Sequence, residues 1–192
     1  MSRKSFIIVF AVVVTAVCAT AAFMQITSSK MQKTKLTDLK NPSITIRKSA
    51  RVLEVYDGDK LVRTFDMVLG FSPDMDKEVE GDGRTPEGEF YVFTKNPESR
   101  FHLSLGLSYP AKDDASRGFA GGLISIDERD QIVKAIDERR MPPQKTALGG
   151  EIYIHGGGTA NDWTDGCIAL QNEEMTELFA AIPTGTKVKI VK

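Results

Sequence analysis

The sequence predicts a mainly β domain, a sandwich or barrel-like sheet with two short helices. Runs of Val, Ile, Leu and aromatic residues recur along residues 43–192. Turns rich in Gly, Asp and Pro separate these runs, and only two segments have the periodicity of a helix. Many strands combined with few helices are typical of a mainly β fold.

The first half of this region predicts a series of strands. Residues 43–48 form one apolar run, and residues 51–56 and 61–69 form the two strands of a hairpin around an Asp-Gly-Asp turn. A long polar loop follows over residues 70–88. Further strands or strand ends are expected at residues 88–96, 102–110, 152–155, 167–170 and 187–192.

Two segments predict helices. Residues 127–140 place apolar side chains on one face, and Ser125 and Glu128 fit a capping box at the start of this helix. The second helix is expected over about residues 173–181, with Asn172 as its N-cap.

The first 42 residues predict an export segment and a linker. Residues 1–27 begin with positive charge and continue as an uncharged run that ends in small residues. The length of the run suits both a cleaved signal peptide and an N-terminal membrane anchor, so both interpretations stay open. Residues 28–42 are polar and Lys-rich and are expected to form a linker, whereas residues 43–192 have the size of one domain. The expected location is the periplasm or the cell envelope.

Charge and cysteine content narrow the function. The formal net charge is −1, which lacks the basic excess of a nucleic-acid-binding protein. Cys18 lies in the leader, so Cys167 is the one cysteine of the domain and no internal disulfide is expected.

Cys167 and His155 are the candidate reactive pair. His155 ends the apolar run at residues 152–155, three glycines follow, and Cys167 begins the next apolar run after Gly166. Two strand ends joined by a glycine-rich loop can bring an imidazole and a thiol within hydrogen-bond reach, and a nearby imidazole activates a thiol nucleophile. The competing interpretation is a buried structural thiol and a core histidine. An unpaired thiol in an exported protein is open to oxidation, so its presence favours a catalytic role over a structural one.

Two other kinds of site, a lipase-like active site and a zinc site, would need residues or spacings that the sequence does not have. The segment HGGG matches the oxyanion segment of lipase-like hydrolases, but no G-x-S-x-G elbow accompanies it. His102, His155, Asp165 and Cys167 match no zinc-ligand spacing. No metal or organic cofactor is therefore expected.

The motifs resemble the L,D-transpeptidase (YkuD-type) catalytic domain family. IHG at residues 154–156 and TDGCI at residues 164–168 stand where that family has its His-Gly pair and its Ser/Thr-His-Gly-Cys motif. TPEG at residues 85–88 resembles the family's Thr-Pro-x-Gly turn, and VLGFSP at residues 68–73 resembles its loop after the second hairpin strand. The resemblance covers nearly all of residues 43–192 and implies a catalytic domain that acts on peptidoglycan.

The resemblance also implies roles for individual residues. Cys167 would attack the carbonyl between the third, diamino-acid residue of a stem peptide and its terminal D-alanine, and an acceptor amine would resolve the thioester. His155 would be the general base, and the Gly156 carbonyl would orient its ring. The amides of Gly166 and Cys167 would face the oxyanion. The acceptor would be a second stem peptide, a wall-linked protein or water.

The chain departs from the family pattern at two positions. Asp165 replaces the family's second histidine, and a carboxylate so close to a thiol raises its pKa unless it is turned away or paired. Ala169 replaces an arginine that is often found there. The residues expected to border the cleft and contact substrate are Arg84, Arg100, His102, Tyr109, Trp163, Thr164 and Asp165.

The sequence therefore predicts an exported cysteine L,D-transpeptidase. One alternative is a peptidoglycan hydrolase, either an L,D-carboxypeptidase or an amidase, with water as the acceptor. The other is a cell-wall binding module without turnover. The presence of Cys167 together with His155 favours an enzyme, because a binding module gains nothing from an oxidisable thiol.

Overall fold

Strand β4 (Gly88–Ser99) belongs to both halves of a curled sheet. Its first four residues pair with β8 (Lys187–Val191), and from Val92 onward it pairs with β5 (His102–Leu107). The computed structural model describes residues 36–192, so the leader expected at residues 1–27 lies outside the described residues.

The sheet has eight strands in the order β3-β2-β1-β8-β4-β5-β6-β7. The remaining strands are β1 (Pro42–Arg47), β2 (Val52–Asp57), β3 (Lys60–Asp66), β6 (Tyr153–His155) and β7 (Ile168–Ala169). The β1–β8 and β6–β7 pairs are parallel, and the other neighbours are antiparallel. The prediction of a mainly β fold is confirmed.

One apolar core draws side chains from both halves of the sheet. In β8, Val188 and Ile190 are buried while Lys187 and Lys189 are exposed, which is the alternation of a strand with one solvated face. Side chains from β1, β2, β4, β5, β6 and β7 join the same cluster. Since one cluster serves both halves, the sheet closes around a single interior.

Three α-helices accompany the sheet in the described part of the chain, one more than predicted. They are α1 (Lys112–Ala120), α2 (Ile126–Asp137) and α3 (Asn172–Ala181). Helices α2 and α3 lie where the sequence predicts helices, whereas α1 was not predicted. None of the helices within residues 36–192 is long and apolar enough to cross a membrane.

The ends of the predicted helices differ slightly from expectation. Ser125 and Glu128 form the predicted capping box: the Glu128 N–H donates to Ser125 Oγ at 3.2 Å, and the Ser125 N–H donates to the Glu128 carboxylate at 2.8 Å. Helix α2 ends at Asp137, and not at residue 140. Helix α3 has Gln171 as its N-cap, so Asn172 is the first helical residue and not the cap.

A buried ion pair stabilises the loop over residues 70–88. Lys77 is 1% exposed, and its ammonium donates to Asp82 at 2.8 Å and to the Val79 carbonyl at 3.0 Å. Burial alone would raise the pKa of Asp82, but the bonds from Lys77 and from three backbone N–H groups hold it below its ordinary value. The loop is thereby fixed in place, with Lys77 and Glu80 at the edge of a large cleft.

Candidate active site

The pairing of β6 with β7 brings His155 and Cys167 to one face of the sheet. Ile154 is the register partner of Ile168, and both side chains are fully buried in the core. Successive side chains of a strand alternate between faces. His155, one residue after Ile154, and Cys167, one residue before Ile168, therefore face away from the core. Both line one cleft of about 1060 Å³.

His155 lies in an aromatic enclosure. Its ring stacks on Phe101 with centroids 4.7 Å apart and meets Trp163 edge-on at 5.5 Å. Burial lowers the pKa of His155 below 6.5, and the nearby Arg100 charge lowers it further, against the effect of a hydrogen bond to Gly156. The imidazole is therefore neutral at physiological pH.

The hydrogen bond to Gly156 fixes the tautomer of the imidazole. His155 Nδ1 lies 2.5 Å from the Gly156 carbonyl oxygen. A carbonyl can only accept, so Nδ1 carries the proton and the lone pair is on Nε2. A neutral histidine in this tautomer can take a proton from a thiol.

The Cys167 thiol is bonded to the beginning of β6. Sγ accepts from the Tyr153 N–H at 3.4 Å and donates to the Glu151 carbonyl at 3.4 Å. Burial raises the pKa of Cys167 to about 11, with a further contribution from the Asp165 and Glu151 carboxylates. The thiol is therefore protonated at neutral pH, and within residues 36–192 no hydrogen bond joins it to His155.

The turn before the nucleophile requires glycine. Gly166 has φ +128°, and a Cβ at this position would lie 2.6 Å from the Arg84 carbonyl oxygen. Its N–H donates to Thr164 Oγ1 at 3.2 Å, and the Thr164 hydroxyl donates to the Cys167 carbonyl at 2.7 Å. The Gly166 amide, expected to face an oxyanion, is engaged within the turn.

Some of the residues expected at the cleft line it. These are Arg100, Trp163, Thr164 and Asp165. Arg84 does not line it: its side chain pairs with Glu78 at 3.4 Å and donates to the Asp76 carbonyl at 3.2 Å. These contacts hold the Arg84 side chain within the 70–88 loop, and its role in substrate binding stays a prediction.

His102 and Tyr109 also lie away from the cleft. His102 is exposed, and its Nε2 lies 2.8 Å from the Thr176 hydroxyl on α3. Tyr109 is fully buried, and its hydroxyl donates to the Leu148 carbonyl at 2.9 Å. Residues 104–110 are all buried, and the Tyr109 side chain belongs to the main apolar core.

Several residues of the cleft were not predicted. Among them are Lys77, Phe101, Gln144, Glu151 and Tyr153. Tyr153 could have been predicted from the sequence, since it stands two positions before His155 on the same strand and so shares its face. Glu151 directly precedes this strand but belongs to no motif, and Lys77, Phe101 and Gln144 come from separate parts of the chain. Phe101 and Trp163 also border a second hollow of about 550 Å³ along the glycine loop.

The fold and the cleft define a mainly β domain with a cysteine and a histidine at neighbouring strand ends. The model of the L,D-transpeptidase catalytic domain family, YkuD, matches residues 41–190. The chain belongs to this family, and the resemblance seen in its motifs is confirmed.

The chain is similar to several solved structures. The helical cell shape determining protein Pgp2 from Campylobacter jejuni superposes with a TM-score of 0.54 at 23% identity, covering 81% of this chain and 49% of Pgp2. A mutant of Pgp2 gives 0.55 at 22% identity, covering 85% and 52%. L,D-transpeptidase 1 from Mycobacterium tuberculosis gives 0.47 at 13% identity, covering 79% and 62%. The chain thus spans about half the length of the Pgp2 chains. No curated protein sequence matches it.

Proposed function

We propose that this protein is an L,D-transpeptidase of the cell envelope that acts on peptidoglycan stem peptides, with Cys167 as nucleophile and His155 as general base. The observation that carries the proposal is the placement of both side chains on one face of the β6–β7 pair, in one cleft. The Nε2 lone pair of His155 supports it, because a general base must be unprotonated before it acts.

The first half-reaction forms a thioester. The Cys167 side chain leaves the Glu151 carbonyl, its proton passes to His155 Nε2, and the sulfur attacks the carbonyl before the terminal D-alanine. The Cys167 N–H is the donor assigned to the oxyanion, since the Gly166 N–H already donates to Thr164. His155 then gives its proton to the amine of the departing D-alanine.

The second half-reaction releases the acyl group to an acceptor. An acceptor amine loses a proton to His155 and attacks the thioester carbonyl. The C–S bond breaks, and the thiolate recovers its proton from the imidazolium. A second stem peptide or a wall-linked protein supplies this amine, and an N-terminal anchor would hold the enzyme beside its substrate.

Arg100 is the residue we assign to recognition of a substrate carboxylate. It is exposed, lines the cleft, and lies over the Phe101 ring with its guanidinium carbon 4.7 Å from the centroid. Arginine binds carboxylates in a bidentate manner. Arg84, the other candidate, is engaged with the 70–88 loop.

Intact-protein and product masses after incubation with a disaccharide-tetrapeptide test the proposal. We expect an acyl adduct on the protein, a dimeric 3-3 product, and loss of both in Cys167→Ala. The adduct and the dimer should also fall by at least 100-fold in His155→Gln, which cannot act as a base. If the native protein gives neither adduct nor product yet still binds the substrate, it is a binding module and the proposal is wrong.

Hydrolysis is the second candidate function. Asp165 is exposed at the cleft beside the thiol, where its carboxylate can accept a hydrogen bond from a water molecule as well as from an amine. The same assay separates the two activities. Tripeptide without dimer, still dependent on Cys167, identifies a carboxypeptidase.

A further inference from the structure

We infer that Gln144 is a positioning residue for the nucleophile: it fixes the backbone of Glu151, whose carbonyl holds the Cys167 thiol in a resting, protonated orientation. The inference deepens the proposed function, since its catalytic meaning rests on Cys167 being the nucleophile. Gln144 stands 23 positions before Cys167 and matches no family motif described above.

The carboxamide of Gln144 makes three hydrogen bonds to backbone groups. Its oxygen accepts from the Glu151 N–H at 2.7 Å, and its nitrogen donates to the Tyr109 and Pro142 carbonyls, both at 2.9 Å. The backbone around Gln144 is also closely packed against Gly150, since a Cβ on Gly150 would lie 2.4 Å from the backbone carbonyl oxygen of Gln144. The side chain thus joins the buried segment at Tyr109, two residues after β5, to the wall of the cleft.

Glu151 adopts a backbone conformation that needs such support. Its φ is +55°, in the left-handed region that residues with a Cβ rarely occupy. This conformation aims its carbonyl at the thiol, which donates to it at 3.4 Å while accepting from the Tyr153 N–H. Strained residues persist where their surroundings determine them, and Gln144 supplies that determination here.

The carbonyl acts in the same direction as the charges around the thiol. Burial and the charges of the Asp165 and Glu151 carboxylates favour the protonated form of Cys167, against the hydrogen bond that the sulfur accepts from the Tyr153 N–H. A hydrogen bond from the thiol to the Glu151 carbonyl also favours the protonated form. Lys77 opposes them, but its ammonium is paired with Asp82. The other charged or titratable groups that line the cleft are Glu80, Glu98, Arg100, Lys145, Tyr153 and His155.

Alkylation of Cys167 by iodoacetamide, followed from pH 7 to pH 12 on the full chain so that the range includes a midpoint near 11, tests the inference. Peptide-resolved mass spectrometry separates Cys167 from Cys18. In Gln144→Ala the Glu151 N–H loses its acceptor and the carbonyl is free to turn away. We expect the rate at Cys167 to rise at least threefold at pH 7 and its pH midpoint to fall. A role in stability alone would lower the unfolding temperature and leave that midpoint unchanged.

Two further variants make the test decisive. Gln144→Asn retains the carboxamide on a shorter side chain that cannot reach the same three partners. This variant replaces Gln144→Ala in the alkylation experiment if Gln144→Ala does not fold. Lys145→Gln changes the neighbouring residue, which is exposed and lines the same wall. It removes a cation and should leave the rate equal or slower. An unchanged midpoint in a folded Gln144 variant overturns the inference. Failure of the protein to transfer acyl groups would not affect it, because alkylation needs no peptidoglycan.

Discussion

At the residue scale, the site keeps both reactive side chains in their uncharged forms. Burial and Arg100 keep His155 unprotonated, whereas burial, Asp165 and Glu151 keep Cys167 protonated. The resting pair is therefore a neutral thiol and a neutral imidazole, and not a thiolate–imidazolium pair. Under the proposed mechanism, transfer of the thiol proton to His155 therefore belongs to the reaction and is not complete in the resting protein.

Asp165→Asn should make the thiol easier to ionise. The exposed Asp165 carboxylate adds to the effect of burial on the pKa of Cys167, so its removal lowers that pKa below about 11. The measurement is the pH midpoint of Cys167 alkylation, which should move to lower pH. Glu98→Gln is the matched control, because Glu98 lines the same cleft but does not appear among the charges acting on the thiol. Equal midpoints in Asp165→Asn and the native protein would contradict the expectation.

Arg100→Gln should move the acidic limb of the pH–rate profile upward. A base works only when it is unprotonated, so the limb follows the pKa of His155, which lies below 6.5. Loss of the Arg100 charge removes one cause of that lowering, so the pKa of His155 rises and the limb moves to higher pH. Arg100→Lys retains the charge and should keep the native limb, while both variants raise KM if Arg100 binds a substrate carboxylate. A limb that moves equally in both variants would contradict this assignment.

At the scale of elements, the loop between β6 and β7 is anchored to the β3 side of the sheet. Asp162 accepts from the Leu69 N–H at 2.8 Å and from Arg51 Nη2 at 2.7 Å. Isolated bridges join Val68 to Ala169 and Gly70 to Thr164. These bonds hold the segment that carries both Trp163 and the nucleophile turn.

Asp162→Ala should weaken both stability and catalysis. It removes a partly buried ion pair and the acceptor of a backbone N–H, so we expect a loss of about 1–3 kcal/mol in the free energy of unfolding. Urea denaturation measures this loss, and kcat should fall because Trp163 and Thr164 lose their anchor. Asp130→Ala, which breaks an exposed pair with Arg129 on α2, should cost less than about 1 kcal/mol. Similar losses in the two variants would show that Asp162 does not anchor the loop.

The sequence predicts those elements whose signals are local. Helix α2 has a Ser125–Glu128 capping box and an apolar face, and both are visible in the sequence. Helix α1 has neither, because it buries the small residues Ala115 and Gly118 and begins after Ala111, whose side chain cannot cap it. The face that α1 buries is determined by residues that pack against it from other parts of the chain. It therefore cannot be predicted from the sequence of the helix alone.

The same distinction applies within the cleft. His155 and Cys167 were predictable because each ends or begins an apolar run beside glycine. Phe101 reaches His155 only because β5 pairs with β6 in the register Ser104 to His155. That register is set by burial in the core, and no local motif near Phe101 reports it.

At the scale of the whole molecule, a small second core lies beside the sheet. Ala115, Ile124, Ile132 and Leu148 form it where α1 and α2 pack together. Leu148 is fully buried in this cluster, and its carbonyl accepts from the Tyr109 hydroxyl of the main core. The two helices are thereby connected to the segment that carries Gln144 and Glu151.

Gly118→Ala should destabilise the protein even though alanine favours helices by about 1 kcal/mol over glycine. A Cβ on Gly118 would lie 2.6 Å from Leu148 Cδ2, and Leu148 has no free space because it is fully buried. Overpacking of this kind costs about 1–3 kcal/mol, measured as a fall in the free energy of unfolding in urea. Gly121→Ala is the matched control: Gly121 has φ −82°, and its nearest neighbour to a Cβ, the Arg117 carbonyl oxygen, is 3.4 Å away. Its effect should stay within about 0.5 kcal/mol. A Gly118→Ala protein as stable as Gly121→Ala would mean that Leu148 yields freely, and that the second core does not brace the wall of the cleft.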